Sequence, residues 1–374
     1  MRDQQTDFQL LSALLLSSQQ SLEASNRGAA RPTHVRVSSR IHDTVTSLTL
    51  PEIEEITELA STNHVIVRAF ELMQPIFEAE GKSEAAETVS AALRKESSRI
   101  HVALNFLREI CAALEKAGCS VTVIKSLDHW PDLGSDLDLY TSAKAGDVVQ
   151  AMTSTFGAKL AERSWGDRLA NKWNFIVPGL PELIEIHVGR LGQTGEQTVF
   201  SEALLPRTRM ITIAGQSFRV LAPEDRIVIS TLQRMYRHFY IRLCDVVDNA
   251  RLLDAREVDF DYLHNMGCAA GLWEGIATYL VVISQYVESF RGYGVPLPSL
   301  VTKSAKFGAN PVRFRKEFLR VPILPHSINL YAGELKTLLF KGQLRNTLRL
   351  SLLPGLATAA ALEMKITGSD KGIW

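Results

Sequence analysis

The amino-acid sequence predicts an α+β fold, in which a small mixed β-sheet is flanked by N- and C-terminal helical regions. Two patterns support this fold class. Between residues 119 and 222, short runs rich in β-branched and apolar residues are separated by glycine and proline, which is typical of strands and turns. On either side, apolar residues recur at the spacing of amphipathic helices. The predicted division is a helical region at 1–118, a sheet-containing core at 119–222 and a second helical region at 223–374.

Helices are predicted first, over residues 1–23 and 51–118. Pro51 and the acidic residues that follow it suit a helix N-terminus. A regular apolar stripe predicts that 98–117 is one helix. Between the first two helical stretches, residues 24–40 are predicted to form a linker.

The core is predicted to contain strands, one helix and a hairpin. In order, these are strands at 120–125 and 136–141, a helix at 144–163, strands at 172–177 and 183–188, and a hairpin at 209–221. A proline-acid signal then predicts a helix from residue 223 to residue 253. The remainder of the chain is predicted to be helical, broken by glycine and proline.

The composition is that of an ordinary globular protein. Its 374 residues are 46% hydrophobic and 22% charged, and they exceed one typical domain core. The four cysteines show no C-x-x-C pair and no histidine at zinc-ligand spacing, which disfavours a structural zinc site. Two apolar runs, 8–16 and 348–364, are too short or too interrupted to span a membrane. We therefore expect a soluble, cytoplasmic protein with no integral membrane association.

Two aspartates on the second predicted strand are the first candidates for chemistry. Asp136 and Asp138 share one face of the strand, because side chains two residues apart point the same way. Two neighbouring carboxylates raise each other's pKa unless a cation lies between them. Mg²⁺ is held by one or two such carboxylates together with substrate phosphates. The pattern alone also fits a solvated edge strand.

A later strand supplies a third carboxylate. Glu185 and His187 share a face of the 183–188 strand. If this strand lies beside the aspartate strand through a hairpin link, the three carboxylates meet at one edge. Three carboxylates can hold two Mg²⁺ ions, which stabilise both oxygens in phosphoryl or nucleotidyl transfer.

Several motifs in order carry a resemblance to a known family. They are Lys125-Ser126, Gly134-Ser135-Asp136-x-Asp138, Glu185-x-His187, the segment 221–225, and the helix 242–253 with His238 one turn before it. Over about residues 100–255, the chain resembles the uncharacterised nucleotidyltransferase-like family of the polymerase-β-type nucleotidyltransferase superfamily. In that family a strand ending in Lys-Gly precedes an Asp-x-Asp strand, and a later strand carries Glu-x-His.

The resemblance implies a reaction and a set of site residues. The implied reaction is transfer of a nucleoside monophosphate from a nucleoside triphosphate to an acceptor hydroxyl, with Mg²⁺ or Mn²⁺ and with release of pyrophosphate. Asp136, Asp138 and Glu185 would be the catalytic and metal-binding residues, with Glu185 or Asp138 taking the acceptor's proton. The residues implied to contact the nucleotide or its phosphates are Lys125, Ser126, Gly134, Ser135 and His187. Ser126 is a departure, because the family has glycine there.

Other polar residues near these motifs have two interpretations each. Asp128 and His129 are predicted to be ordinary turn residues, with phosphate contact as the alternative. Lys172 is either a phosphate ligand or a solvated strand end. Asp248 and Arg251 are spaced as an intrahelical pair.

A further group is predicted to share one helical face. Arg234, Arg237 and His238 either line a nucleotide cleft or form a salt-bridged surface.

The acceptor is not identified by the sequence; a small molecule, a peptide or protein, and an RNA are all open. The alternative function is a catalytically lapsed protein of the same fold that serves in binding or regulation, such as a toxin–antitoxin component. Residues 301–374 contain 12 basic and 4 acidic residues, which suits nucleic acid, an acidic partner, a membrane surface or a solvated helical face. Nucleic-acid binding by this tail is the weakest of these, because no RNA-reading motif accompanies it.

Overall fold

The structure, a computed structural model, describes residues 3–17, 38–191, 201, 204–352 and 355, and it confirms the α+β fold class. The helices before the sheet are α1 (Gln4–Ser17), α2 (Ser39–Thr46), α3 (Leu50–Thr62), α4 (Ile66–Ala79) and α5 (Ser83–Lys116). A capping box of Thr49 and Glu52 starts α3, with Pro51 in its first turn. The predicted linker at 24–40 falls mostly outside the described residues, and its last two positions begin α2.

The core elements follow the predicted order. They are β1 (Val121–Val123), β2 (Asp136–Thr141), α6 (Ala145–Phe156), β3 (Lys159–Leu160), α7 (Trp165–Leu169), β4 (Lys172–Ile176), β5 (Leu183–Val188), β6 (Arg209–Ile213) and β7 (Gln216–Val220). Helix α6 ends seven residues earlier than predicted, because Gly157 takes a left-handed conformation that stops the helix. In the described part of the chain these strands form one sheet in the order β3-β4-β5-β2-β1-β7-β6.

The pairing of β2 and β5 corrects one expectation. The two strands are neighbours, as predicted, but they run parallel, with Asp138 opposite Glu185. Parallel neighbours cannot be joined by a hairpin and need a crossover. Here the crossover is the segment from α6 to β4, and β4 is the strand that pairs antiparallel with β5.

The two faces of the sheet have different surroundings. Leu137, Leu139, Ile184 and Ile186 are fully buried on one face, in a cluster that includes apolar residues of α5 and α6. The opposite face carries Asp136, Asp138, Glu185 and His187, together with a tyrosine that packs into a second cluster formed by N- and C-terminal helices. Burying each large aliphatic side chain contributes about 1.5–3 kcal/mol. The apolar face therefore packs the sheet against the helices, and the polar face carries the candidate site residues.

The C-terminal part is helical, with a small second sheet. Its elements are α8 (Pro223–Thr231), a π-helical turn (Leu232–Arg237), β8 (Tyr240–Ile241), α9 (Leu243–Asp254), α10 (Phe260–Ala270), α11 (Trp273–Arg291), α12 (Ser299–Ser304), β9 (Arg313–Arg315), β10 (Phe318–Arg320), α13 (Ile328–Phe340) and α14 (344–352). The predicted helix 223–253 is interrupted, because Phe239 has a φ of 55° and the next two residues pair with β10. None of the described helices is both long and apolar enough to cross a bilayer.

Candidate active site

The candidate site lies where β2 and β5 run side by side. Asp138 and Glu185 are register partners, and His187 follows on the same face of β5. One ligand atom from each of these three residues lies within 4.8 Å of the other two. Asp138 and His187 are buried, and Glu185 is half-buried. Carboxylate and imidazole groups gathered in this way can hold a divalent metal ion.

Two lysines neutralise the carboxylates. Lys125 forms an ion pair with Asp138. Lys172 Nζ lies 2.9 Å from Glu185 Oε1 and 2.9 Å from Asp167 Oδ1. Of the two sequence interpretations of Lys172, the solvated strand end is therefore excluded, because its ammonium is committed to two carboxylates.

The site groups differ in their pKa values. Burial alone would raise the pKa of Asp138, but Lys125 and the hydrogen bond with His187 outweigh it and hold that pKa well below its usual range. Burial, reinforced by repulsion from Asp138, raises the pKa of Glu185. Burial lowers the pKa of His187 to about 4, so the ring is neutral at pH 7. The site thus combines an ionised carboxylate, a neutral imidazole and a carboxylate suited to accept a proton.

Asp136 stands apart from this group. It is half-buried at the start of β2, opposite Leu183, and among the described residues its carboxylate does not join the three-residue cluster. Burial and the charge of Asp138 raise its pKa. Of the predicted triad, the structure brings Asp138 and Glu185 together and places His187 as their immediate neighbour.

The loop after β1 is tied to β2 by Ser126. The Ser126 hydroxyl accepts a hydrogen bond from the Asp138 backbone amide at 2.7 Å and donates to the Asp136 carbonyl at 3.2 Å. Ser126 is buried, and the preceding Lys125 has a φ of 60°, in the left-handed region. The serine hydroxyl is therefore engaged in holding the aspartate strand against this loop.

The turn before β2 is held by α5. Arg99 donates to the carbonyl oxygens of Gly134 (Nη1, 3.3 Å) and Leu133 (Nη2, 3.1 Å), and its Nη1 lies 2.6 Å from Glu182 Oε1. Ser135 is exposed beside this turn. The predicted contact of Gly134 and Ser135 with nucleotide stays a prediction.

A small, narrow cleft between the sheet and the C-terminal helices lies beside the site. Lys125 and His187 line it on the sheet side, and Gln233 and Arg237 line it on the helical side. Nearby, the pKa of His238 is lowered to about 3 by its burial and by the surrounding cations Arg234, Arg237, Lys125 and Arg242. Positive potential therefore concentrates beside the carboxylates, which favours an anionic ligand.

The predicted cationic helical face is divided between two roles. Arg234 is buried and pairs with Asp245, with 2.7 Å between Nε and Oδ2, so it is a structural salt bridge. Arg237 lines the cleft. Spacing alone could not separate these roles, because the partner of Arg234 lies beyond the break in the helix.

A buried network behind the site was not expected from the sequence. Arg68 of α4 pairs with Asp132 (Nε to Oδ2, 2.7 Å) and with Asp248 of α9 (Nη1 to Oδ1, 2.6 Å). His129 Nδ1 lies 2.5 Å from the other oxygen of Asp248. Asp248 thus pairs with these groups and not, as its spacing predicted, with Arg251. His129 therefore links the turn before β2 to α9, and it is not an ordinary turn residue.

A second group of metal-ligand type lies next to this network. His129, Cys244 and Asp245 each have a ligand atom within 4.8 Å of the others. However, Asp245 already accepts from Arg234 and from the Arg242 backbone amide at 2.7 Å, where it caps α9. This carboxylate also caps a helix, which leaves the group of Asp138, Glu185 and His187 as the stronger candidate for a metal ion.

The known proteins that this chain is similar to are nucleotidyltransferase-like. A solved structure, an antigenic nucleotidyltransferase-like protein from Paracoccidioides brasiliensis, is similar at 12% sequence identity over 52% of this chain and 93% of that chain, with a TM-score of 0.33. No curated protein sequence matches the chain. The family model of uncharacterised nucleotidyltransferases matches residues 50–283, which is more than half of the chain and contains both β2 and β5. The chain therefore belongs to this family of uncharacterised nucleotidyltransferases.

Proposed function

We propose that the protein transfers a nucleoside monophosphate from a nucleoside triphosphate to an acceptor hydroxyl and releases pyrophosphate. The observation that carries the proposal is the placement of Asp138 beside Glu185 on adjacent parallel strands, with ligand atoms within 4.8 Å, in a chain of the nucleotidyltransferase family. Carboxylates at this separation suit a divalent cation that binds substrate phosphates.

The donor set fits Mg²⁺ or Mn²⁺. Asp138 and Glu185 offer hard oxygen ligands, and His187 offers an imidazole that suits Mn²⁺ better than Mg²⁺. Two buried polar atoms beside them, His187 Nδ1 and Asn174 Oδ1, have no hydrogen-bond partner within the protein. Asn174 is the register partner of Glu185 on β4. Unpaired acceptors of this kind suit a site that is completed by a bound cation and its waters. A bound metal ion would supply positive charge to the phosphates during transfer.

Cationic side chains are placed to receive the triphosphate. Lys125 and Arg237 line the cleft from opposite sides, next to the carboxylates. Arg242 is close enough to act electrostatically on both Asp136 and His238. These three residues are the ones we assign to the β- and γ-phosphates, since phosphoryl groups in proteins are held by such clamps.

In the proposed reaction, Glu185 accepts the proton and Asp138 stays ionised. The acceptor oxygen attacks the α-phosphorus in line, the bond from that phosphorus to the bridging oxygen breaks, and pyrophosphate leaves with the bonding electrons. The hydroxyl proton goes to the carboxylate of Glu185, whose pKa is raised by burial and by Asp138. Asp138 remains ionised throughout, because Lys125 stabilises its charge.

The test is transfer of label from α-labelled triphosphates. Each of the four triphosphates is incubated with the protein, Mg²⁺ or Mn²⁺, and cell extract as the acceptor source. Labelled product and pyrophosphate are expected from the wild type and from Asp147→Asn, which changes an exposed carboxylate on α6. Both are expected to disappear in Asp138→Asn and in Glu185→Gln. Equal transfer by Asp138→Asn, checked for its fold by circular dichroism, would exclude this site.

One observation favours the lapsed alternative. Both carboxylates are already neutralised, Asp138 by Lys125 and Glu185 by Lys172, and the Ser126 hydroxyl is engaged within the fold. A protein of this kind would bind a nucleoside triphosphate without releasing pyrophosphate. Binding measured by calorimetry, together with no turnover in any extract, distinguishes it from the enzyme.

A further inference from the structure

An apolar surface is concentrated at the C-terminal end of the described chain. Eight of the fourteen large hydrophobic side chains that are exposed among the described residues fall between 323 and 352. They are Ile323, Leu324, Ile328, Leu339, Phe340, Leu344, Leu348 and Leu352. Phe340 is 79% exposed and Leu324 is 71% exposed. Surface apolar residues are normally scattered, so such a concentration indicates an interaction surface. We call these eight residues the C-terminal apolar surface.

Six of these eight residues belong to α13 and α14, which are packed on the protein, and Ile323 and Leu324 precede α13. Leu330, Leu338 and Leu350 are buried on the inner faces of α13 and α14. Tyr331 of α13 donates a hydrogen bond to the Leu350 carbonyl of α14. Lys341 Nζ donates a hydrogen bond of 2.8 Å to the Cys268 carbonyl oxygen, near the end of α10. Both helices therefore pack on the protein through their inner faces, and the apolar residues on their outer faces remain exposed.

The outward apolar residues are arranged differently on the two helices. On α13 the exposed large apolar residues are Ile328 near the start and Leu339 and Phe340 at the end, with Lys336 one turn before Phe340. On α14, Leu344, Leu348 and Leu352 are four residues apart. Helix α14 thus presents an apolar stripe away from the protein, and α13 adds exposed apolar side chains at its two ends.

The charges of this region have one sign. Four basic residues, Lys336, Lys341, Arg345 and Arg349, lie between 323 and 352, and the sole acidic residue there, Glu334, is buried. Lys336 Nζ lies 5.8 Å from the Phe340 ring centroid, so its alkyl stem runs beside this exposed ring and its charge lies at the edge. A symmetric contact between two copies would set these cations against one another. The charge pattern therefore favours an anionic occupant.

We propose that the C-terminal apolar surface docks on an anionic lipid bilayer. Helices with an apolar stripe and flanking lysine or arginine lie in the plane of the headgroups, with the apolar side chains inserted and the cations at the phosphates. The leucines, the isoleucines and Phe340 would insert, while Lys336 and Arg345 meet the headgroups. This docking is peripheral, and it is independent of the chemistry proposed for Asp138 and Glu185.

The test is co-sedimentation of the full chain with vesicles. Binding is expected to phosphatidylcholine vesicles that contain phosphatidylglycerol, and not to phosphatidylcholine alone, and it is expected to weaken as salt is added. Phe340→Ser combined with Leu344→Ser should weaken binding about tenfold or more, since both apolar side chains are lost from the bilayer. Lys336→Gln combined with Arg345→Gln should reduce the salt dependence. Met210→Ser, at a residue that is 63% exposed elsewhere, is the matched control and should bind as the wild type does.

Several results would overturn the proposal. These are equal binding to neutral and anionic vesicles, no binding to either, or undiminished binding by the Phe340/Leu344 variant. A dimer in light scattering that Leu348→Asp dissociates would assign the surface to a second copy instead. Because all the substituted side chains are exposed, unfolding is not expected, and circular dichroism of each variant verifies this.

Discussion

His187 Nε2 lies 3.3 Å from Asp138 Oδ1, so a histidine on β5 orients a carboxylate on β2 that is 49 residues away in the chain. Because burial keeps His187 neutral at pH 7, its Nε2–H donates to the ionised Asp138. Lys125 pairs with the same carboxylate. The orientation and the charge of Asp138 are therefore set by the protein itself, before any ligand binds.

Asp138→Asn should weaken metal binding and abolish transfer. The substitution removes a charged ligand and leaves the ammonium of Lys125 without its partner. We expect Mn²⁺ affinity, measured by electron paramagnetic resonance, to fall about a hundredfold or more. Asp147→Asn should retain the wild-type affinity, and a similar loss in this control would point to a general effect of surface charge.

Arg237→Gln should weaken triphosphate binding more than it slows transfer. Arg237 lines the cleft on the helical side, and its Nη1 donates to the Leu191 carbonyl at 3.1 Å. We expect KM for the triphosphate to rise about tenfold while kcat changes little, as for a residue that binds ground state and transition state alike. Arg219→Gln, on β7, is the control. A fall in kcat at unchanged KM would instead indicate that Arg237 acts on the reacting groups and not in ground-state phosphate binding.

Ser126→Ala should destabilise the protein and impair the site together. The Ser126 hydroxyl is bonded to the Asp138 amide and the Asp136 carbonyl, and its loss leaves a buried amide unpaired. We expect the free energy of unfolding to fall by about 1–3 kcal/mol in urea denaturation. Ser126→Gly, which matches the family residue, should show the same loss, because it also lacks the hydroxyl. Higher transfer by the glycine variant would show that the serine limits the phosphate approach.

Arg68→Met should be strongly destabilising. The arginine is the shared partner of Asp132 and Asp248, and its removal leaves buried Asp132 without a counter-ion and buried Asp248 with His129 alone. The expected loss of unfolding free energy is about 3–5 kcal/mol. Arg94→Met is the matched control, since Arg94 pairs with Glu87 at a side-chain exposure of 62% and should lose less than about 1 kcal/mol. Similar losses of unfolding free energy in the two variants would mean that the buried network stabilises the protein no more than an exposed ion pair does.

Asp225 should make stability depend on pH. Burial raises its pKa to about 7, against the weaker opposing effect of Arg207. The native state then holds a proton that the unfolded state releases near pH 4, so this contribution is complete at low pH and is lost as pH rises through about 7. We expect the unfolding free energy of the wild type to decline by a few kcal/mol from pH 4.5 to 8, since one pKa unit is about 1.4 kcal/mol. Asp225→Asn should decline less, and parallel urea midpoints for both proteins would contradict the assignment.

Local sequence patterns predicted most of the sheet and much of the site. The alternation around Asp138 and Glu185 was enough to place both carboxylates on strand faces, since that depends only on the two-residue period. The parallel pairing of their strands was not predictable, because it is decided by a crossover of about forty residues.

Contacts between segments that are far apart in the chain could not be predicted from local sequence patterns. Arg68 and Asp248 are 180 residues apart, so no spacing rule could pair them. The second sheet was missed because its strands, β8 to β10, are two or three residues long and carry no measurable alternation. The same limit hid the role of His129, whose partner lies on α9.

The Arg68 network also shows which parts of the chain depend on one another. Asp132 precedes the aspartate strand, Asp248 belongs to the C-terminal helices, and the counter-ion of both comes from α4. A fragment that begins at Cys119 would carry both acids and His129 but lack Arg68, which pairs with both acids. The sheet and the C-terminal helices therefore depend on α4 for a shared counter-ion, so a truncation that removes α4 should destabilise the region around the candidate site without changing any of its residues.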